Sequence, residues 1–110
     1  RVCTDCAETH FLNEDEAIVL EIGIRSCPQI QRGKGCERCG HTGYRGRVGL
    51  YELLMMSDAI RHHIASGADA NIIRDEAIIE GMKTLREDAI EKLKAGLTTP
   101  EEVVRVTRAI

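Results

Sequence analysis

Five cysteines carry most of the chemistry legible in this sequence, and four of them fall into two matched pairs. Cys3-Thr4-Asp5-Cys6 opens the chain, and Cys36-Glu37-Arg38-Cys39 repeats its spacing. Two intervening residues allow a tight turn to aim both thiols at one point. Two such turns supply the four thiolates of the tetrahedral sulfur cage that Zn²⁺ prefers. Cys3, Cys6, Cys36 and Cys39 are therefore expected to hold one structural zinc ion. The competing readings are a pair of disulfides, free thiols, or a redox-active CxxC. A redox thiol needs a depressed pKa, and neither pair is followed by a strong helix to depress it. The spacer from Ala7 to Gly35 exceeds the ~15–20 residues of the common zinc-ribbon pattern, so a small structured insert must separate the knuckles.

Other chemistry-bearing residues have plainer readings. Cys27 is read as a buried or partly buried bystander rather than an alternate ligand, since free cysteine behaves as a small hydrophobe. His10 and His41 lie near the knuckles in sequence, but four thiolates already close a structural site, so both are read as surface or supporting residues. His62 and His63 are adjacent on a helix and point in different directions. Ser26, Ser57 and Ser66 have no partner base in their setting. No GxxxxGK[ST] phosphate loop occurs, so this chain by itself is not expected to be an enzyme. Tyr44-Arg45-Gly46-Arg47 reads equally as a protein- or anion-contact patch and as a solvated basic turn.

Net charge is −3, which disfavours nucleic-acid binding by overall electrostatics. The distribution is uneven. Residues 1–24 carry a local −5, whereas Arg25 to Arg47 carry a local +5, with Glu37 as the sole acid in that stretch. The two blocks should attract each other if the knuckles share a metal, or else face different neighbours. Aromatics are limited to Phe11, Tyr44 and Tyr51. The core must be aliphatic, and metal binding adds directly to the folding free energy of so small a core. No apolar run approaches the ~20 residues that cross a bilayer, and no signal peptide is visible. The odd cysteine count argues against a secreted disulfide scaffold. A cytoplasmic location is expected. Because a ligand cysteine lies two residues after Arg1, the chain reads as the C-terminal piece of a longer protein.

The elements that position these residues follow from local signals. Asn13, with Glu16 three residues later, caps a helix over 14–22 that Gly23 ends. Residues 29–34 suit a short strand entering the second knuckle, and alternation over 47–55 suits another strand. Ser57, Asp69, Thr84 and Thr99 each open a helix, with Thr84/Glu87 and Thr99/Glu102 as capping boxes and Pro100 at the favoured first position. Gly67, Gly81 and Gly96 stop the first three. The expected fold is α+β. It comprises a small tetracysteine zinc-binding module with short strands (residues 1–56) and a four-helix C-terminal subdomain packed as a small bundle (residues 57–110).

Three strings carry a family resemblance over essentially the whole chain. Gly35-Cys36-Glu37-Arg38-Cys39-Gly40-His41-Thr42-Gly43-Tyr44-Arg45-Gly46-Arg47, followed by Tyr51-Glu52-Leu53-Leu54, is the first. Gly81-Met82-Lys83-Thr84-Leu85-Arg86-Glu87-Asp88 and Gly96-Leu97-Thr98-Thr99-Pro100-Glu101-Glu102-Val103 are the others. With the opening Arg1-Val2-Cys3-Thr4-Asp5-Cys6, they resemble the hexameric ATPases of type II secretion and type IV pilus assembly. The resemblance implies the tetracysteine module and C-terminal helical region of such a motor, with Cys3, Cys6, Cys36 and Cys39 as its structural Zn²⁺ ligands. It implies that ATP and Mg²⁺ belong to an upstream domain of the parent protein. The implied partners are that ATPase core, neighbouring subunits of the hexamer and inner-membrane platform proteins, with the parent peripheral to the inner membrane. Ala89 departs from the glycine often found there, and Cys27 is outside the family pattern. The alternative is a stand-alone zinc-ribbon-like nucleic-acid binder using segment 25–47, which holds only one aromatic for base stacking.

Overall fold

A computed structural model describes residues 1–23, 25 and 29–107. Cys27 lies outside the described residues. The chain runs β1 (Ala7–Phe11), α1 (Glu14–Leu20), β2 (Gln29–Gly33), a 3₁₀ turn (Glu37–Cys39), α2 (Asp58–Ala65), α3 (Ala70–Ile79), α4 (Leu85–Lys94) and α5 (Pro100–Thr107). The fold is α+β. β1 and β2 pair antiparallel, from Ala7 opposite Gly33 to Phe11 opposite Gln29. This hairpin is the structured insert required between the knuckles, and its open end delivers both cysteine pairs to one place.

Helix starts follow the capping chemistry. Asn13 accepts from the Glu16 N–H at 2.8 Å, and Glu16 returns a bond to the Asn13 N–H at 3.2 Å. Ser57, Asp69 and Thr84 each accept from the N–H three residues on. At Thr99 the hydroxyl half of the box forms, but Glu102 turns its carboxylate to Arg105 instead. α1 ends at Leu20, short of Gly23, because Glu21 takes the left-handed conformation (φ 58°). That region is normally left to glycine.

The strand read over 47–55 does not form. Residues 47–57 carry no regular secondary structure, and no other strand of the described chain pairs with them. A strand is a pairing, and alternation alone cannot supply the partner. Asp88 anchors the segment instead, accepting the Tyr51 N–H at 2.9 Å, while Glu52 Oε1 meets Arg74 at 2.7 Å in an ion pair.

One aliphatic core joins the hairpin to part of the helical region. Leu12, Ala17, Leu20 and Ile30 interlock with Ala89, Leu93 and Val103, with Ile22, Leu50, Ile90 and Val104 packed around them. α4 and α5 therefore sit against α1 and β2, whereas α2 and α3 pack chiefly on each other, burying Ile60 and Ala77. The molecule is elongated, 55 × 28 × 20 Å, with a radius of gyration of 17.1 Å. A compact chain of this length would have ~13 Å.

Candidate metal centre

The two knuckles close on each other through backbone contact. Lys34 N–H donates to Cys6 O at 3.0 Å and Cys3 N–H to Gly43 O at 2.9 Å, while Val2 bridges Tyr44. Gly33 and Gly43 cross so tightly that a Cβ on Gly33 would lie 2.0 Å from Gly43 O. Neither position has room for a side chain. Gly40 (φ 64°) and His41 (φ 63°) turn the chain sharply after the 3₁₀ turn, which brings the Gly43 amide back over Cys39.

The result is a converging set of four sulfurs. Cys3, Cys6, Cys36 and Cys39 offer Sγ atoms that all lie within 4.8 Å of one another. Cys3–Cys36 is 3.8 Å, Cys6–Cys39 is 3.9 Å and Cys36–Cys39 is 3.7 Å. A regular tetrahedron with metal–sulfur bonds of ~2.3 Å has edges of ~3.8 Å, so these separations suit a tetrahedral thiolate site. They are nearly twice the ~2.05 Å of a disulfide, and the four thiols are free. Cys3 and Cys39 are buried, Cys6 and Cys36 half-buried. The tetrad could hold a metal ion.

Backbone amides support it. Gly35 N–H donates to Cys6 Sγ at 3.3 Å, and Cys39 Sγ receives Cys36 N–H at 3.2 Å and Gly43 N–H at 3.3 Å. Such outer contacts orient ligands and spread thiolate charge. Cys39 and Cys6 shift in opposite directions. Burial opposes ionisation of Cys39, but the Cys36 and Gly43 amides overcome it and lower its pKa to about 6. At Cys6 the Gly35 amide favours the thiolate, yet burial and three neighbouring sulfurs push the pKa up to about 12. Four negative charges cannot accumulate in this space without a cation.

His10 is exposed on β1 and His41 is exposed after the second knuckle. Among the described residues the ligand cluster consists of the four cysteines alone. The opposed charge blocks do meet: Asp5 lies 3.3 Å from Arg45 and 3.8 Å from Arg38. Arg32 pairs with Glu16 and, at 2.6 Å, with Glu101, joining β2 to α1 and α5. Three arginines of the basic segment are thus matched by carboxylates within the chain. Two contributors were not assigned from sequence. The first is the Gly33–Gly43 crossing, whose only signal was glycine density. The second is the Tyr44 hydroxyl, hydrogen-bonded at 2.7 Å to buried Thr99 at the start of α5, a contact spanning 55 positions.

Four clustered cysteines at the base of a hairpin, with helices packed against it, define a small module of α+β class that could hold a metal ion. A sequence model described as type II/IV secretion system protein matches residues 1–105. The chain is 41% identical over 111 aligned positions to the type IV pilus assembly ATPase PilB of Thermus thermophilus, covering 97% of this chain and 12% of that protein. It is 40% identical to the type II secretion system protein E of Aeromonas hydrophila, covering 97% of this chain and 21% of that one. Identity to the type II secretion system ATPase E of Vibrio cholerae is 33%, with the same shares. The chain belongs to the type II/IV secretion system protein family, the family of secretion and pilus-assembly ATPases. It spans about an eighth to a fifth of the length of these relatives. No helix among the described residues is long and apolar enough to cross a membrane.

Proposed function

We propose that this chain is the structural zinc module of a secretion or pilus-assembly ATPase, without catalysis of its own. Zn²⁺ is bound by Cys3, Cys6, Cys36 and Cys39, and the convergence of these four sulfurs at contact distance is the observation that carries the reading. All four positions are protein thiolates, which leaves none for substrate or activated water, as in closed structural sites. The metal supplies the positive charge that lets four thiolates coexist and staples the hairpin base shut. The chain's own residues do the positioning: the Gly33–Gly43 crossing aligns the knuckles, and the Tyr44–Thr99 bond passes their placement to α5.

The parent protein hydrolyses ATP with Mg²⁺ in a separate domain, since the 110 residues contain no phosphate loop. Its setting is the cytoplasmic face of the inner membrane, with neighbouring subunits and platform proteins, as the resemblance to the secretion and pilus-assembly motors implies. The module braces that engine rather than building its nucleotide site. The test is metal analysis of chelator-free protein, followed by Cys36→Ser in the full-length ATPase. The expected result is about one zinc per chain, and a variant that keeps nucleotide affinity while losing secretion or piliation. Protein that carries Cys3–Cys6 or Cys36–Cys39 disulfides and no metal would overturn the zinc assignment. Lost nucleotide affinity in a folded variant would overturn the bracing role.

A further inference from the structure

α1 is built at a local cost. Its first turn carries Glu14, Asp15 and Glu16, which suits the positive end of a helix. Its last turn has no basic residue, and its C-cap is an acid, Glu21, held at φ 58°. A carboxylate at the negative pole of a helix is repelled by the dipole, and a non-glycine residue is strained in that backbone region. The same helix exposes Ile18 and Val19, at 73% and 55%. Glu16 is the α1 acid paired with a cation, while Glu14, Asp15 and Glu21 have no ion pair among the described residues.

Asp15, Glu16, Val19 and Leu20 of the same helix line a groove against α5. It measures about 410 Å³, with an apolar floor of Val19, Leu20, Pro100 and Val104 and a rim of Asp15, Glu16 and Glu101. Arg32 offsets part of the rim, leaving it negative. We propose that the α1–α5 groove is a docking site for a cationic amphipathic helix of a partner protein. Aliphatic anchors from that helix lie on Val19 and Val104, and its flanking Lys or Arg side chains answer Asp15 and Glu101. Helix-in-groove recognition uses this arrangement of spaced apolar anchors. The opposed charges set orientation and association rate. The site is formed by this chain's own residues and does not depend on the motor reading above.

The test begins with the purified 110-residue chain, used as bait for a displayed library of helical peptides about 16 residues long, or ~24 Å. Recovered sequences should combine Leu, Ile or Phe at i, i+3 or i+4, and i+7 with flanking Lys or Arg. Their binding, read by fluorescence anisotropy, should weaken with rising salt. Val19→Asp and Asp15→Lys should each lower the affinity about tenfold. Metal content and circular dichroism of each variant report folding separately. Glu101→Gln gives a second readout from the facing helix: binding weakens and its salt dependence falls, because one rim charge is gone. Three results would overturn the proposal. They are no enrichment, enrichment of acidic or uncharged peptides, and enriched peptides that bind folded Val19→Asp or Glu101→Gln as tightly as the parent chain.

Discussion

Cys39 and Cys6 face each other at 3.9 Å, and their surroundings shift them in opposite directions. At Cys39 burial is outweighed by two N–H donors, which lower the pKa to about 6, while at Cys6 the Gly35 amide is outweighed by burial and three neighbouring sulfurs, which push it up to about 12. A divalent metal must displace the remaining thiol protons, so metal affinity should rise with pH. Competition titration with a chromogenic chelator between about pH 6 and 8 measures it; affinity flat across that range would count against thiolate ligation. Cys27→Ser should keep full metal stoichiometry, whereas Cys36→Ser should lose or weaken it. An empty site in Cys27→Ser would mean the ligand set is wrong. Asp88 gives a second residue-scale case. The Tyr51 N–H, outweighing burial and aided by Lys92, holds its carboxyl below the usual range. A depressed carboxyl stabilises the fold fully above its unfolded pKa of ~3.9 and loses that contribution as pH falls through the folded value. Chemical denaturation between about pH 5 and 2 should therefore show a steeper loss for the parent chain than for Asp88→Asn. At neutral pH Asp88→Ala should cost about 1–3 kcal/mol, since it frees the Tyr51 segment. Parallel slopes would refute the assigned role.

At the scale of elements, the hairpin base tolerates no extra atom. A Cβ at Gly33 meets Gly43 O at 2.0 Å, and both neighbours are backbone with nowhere to retreat. Gly33→Ala should lower stability by roughly 1–3 kcal/mol, as overpacking does, and weaken metal binding with it because the knuckles are driven apart. Equal stability and metal affinity in Gly33→Ala would show that the crossing is looser than the structure has it. Tyr44→Phe is the gentler probe of the link to α5. It deletes one hydroxyl and leaves Thr99 still bonded to the Glu102 N–H. A loss of about 1 kcal/mol is expected, with faster hydrogen exchange at the first turn of α5.

At the scale of the molecule, the shared core decides how metal loss spreads. From sequence alone, chelation should loosen residues 1–50 and spare the helices after position 57. The core instead ties Leu20 and Ile30 to Leu93 and Val103. Chelation should therefore also loosen α4 and α5, while α2 and α3, packed on each other, keep their protection. Hydrogen exchange with and without a strong chelator resolves these units. Retained protection in α4 and α5 would show that the cage and the core are energetically separate.

Much was legible in the residues because it is local. Cysteine spacing, the Asn13, Ser57, Asp69 and Thr84 caps, and the glycines after α2, α3 and α4 depend on a few neighbouring positions, so sequence by itself determined the knuckles and the helix starts. The α1 end escaped that reading, because an acid took the left-handed position where glycine was expected two residues later. What needs distant partners was left to the tertiary structure. The alternation over 47–55 looks like a strand, yet no strand among the described residues pairs with it. Four helices separated by short loops look like one bundle, yet α4 and α5 bury their apolar faces against the hairpin. The Tyr44–Thr99 bond and the Gly33–Gly43 crossing join positions 55 and 10 residues apart, respectively. Periodicity records which face of an element is apolar, but only the assembled chain decides which surface covers it. The cysteines specified a cage, and the fold decided which helices it holds.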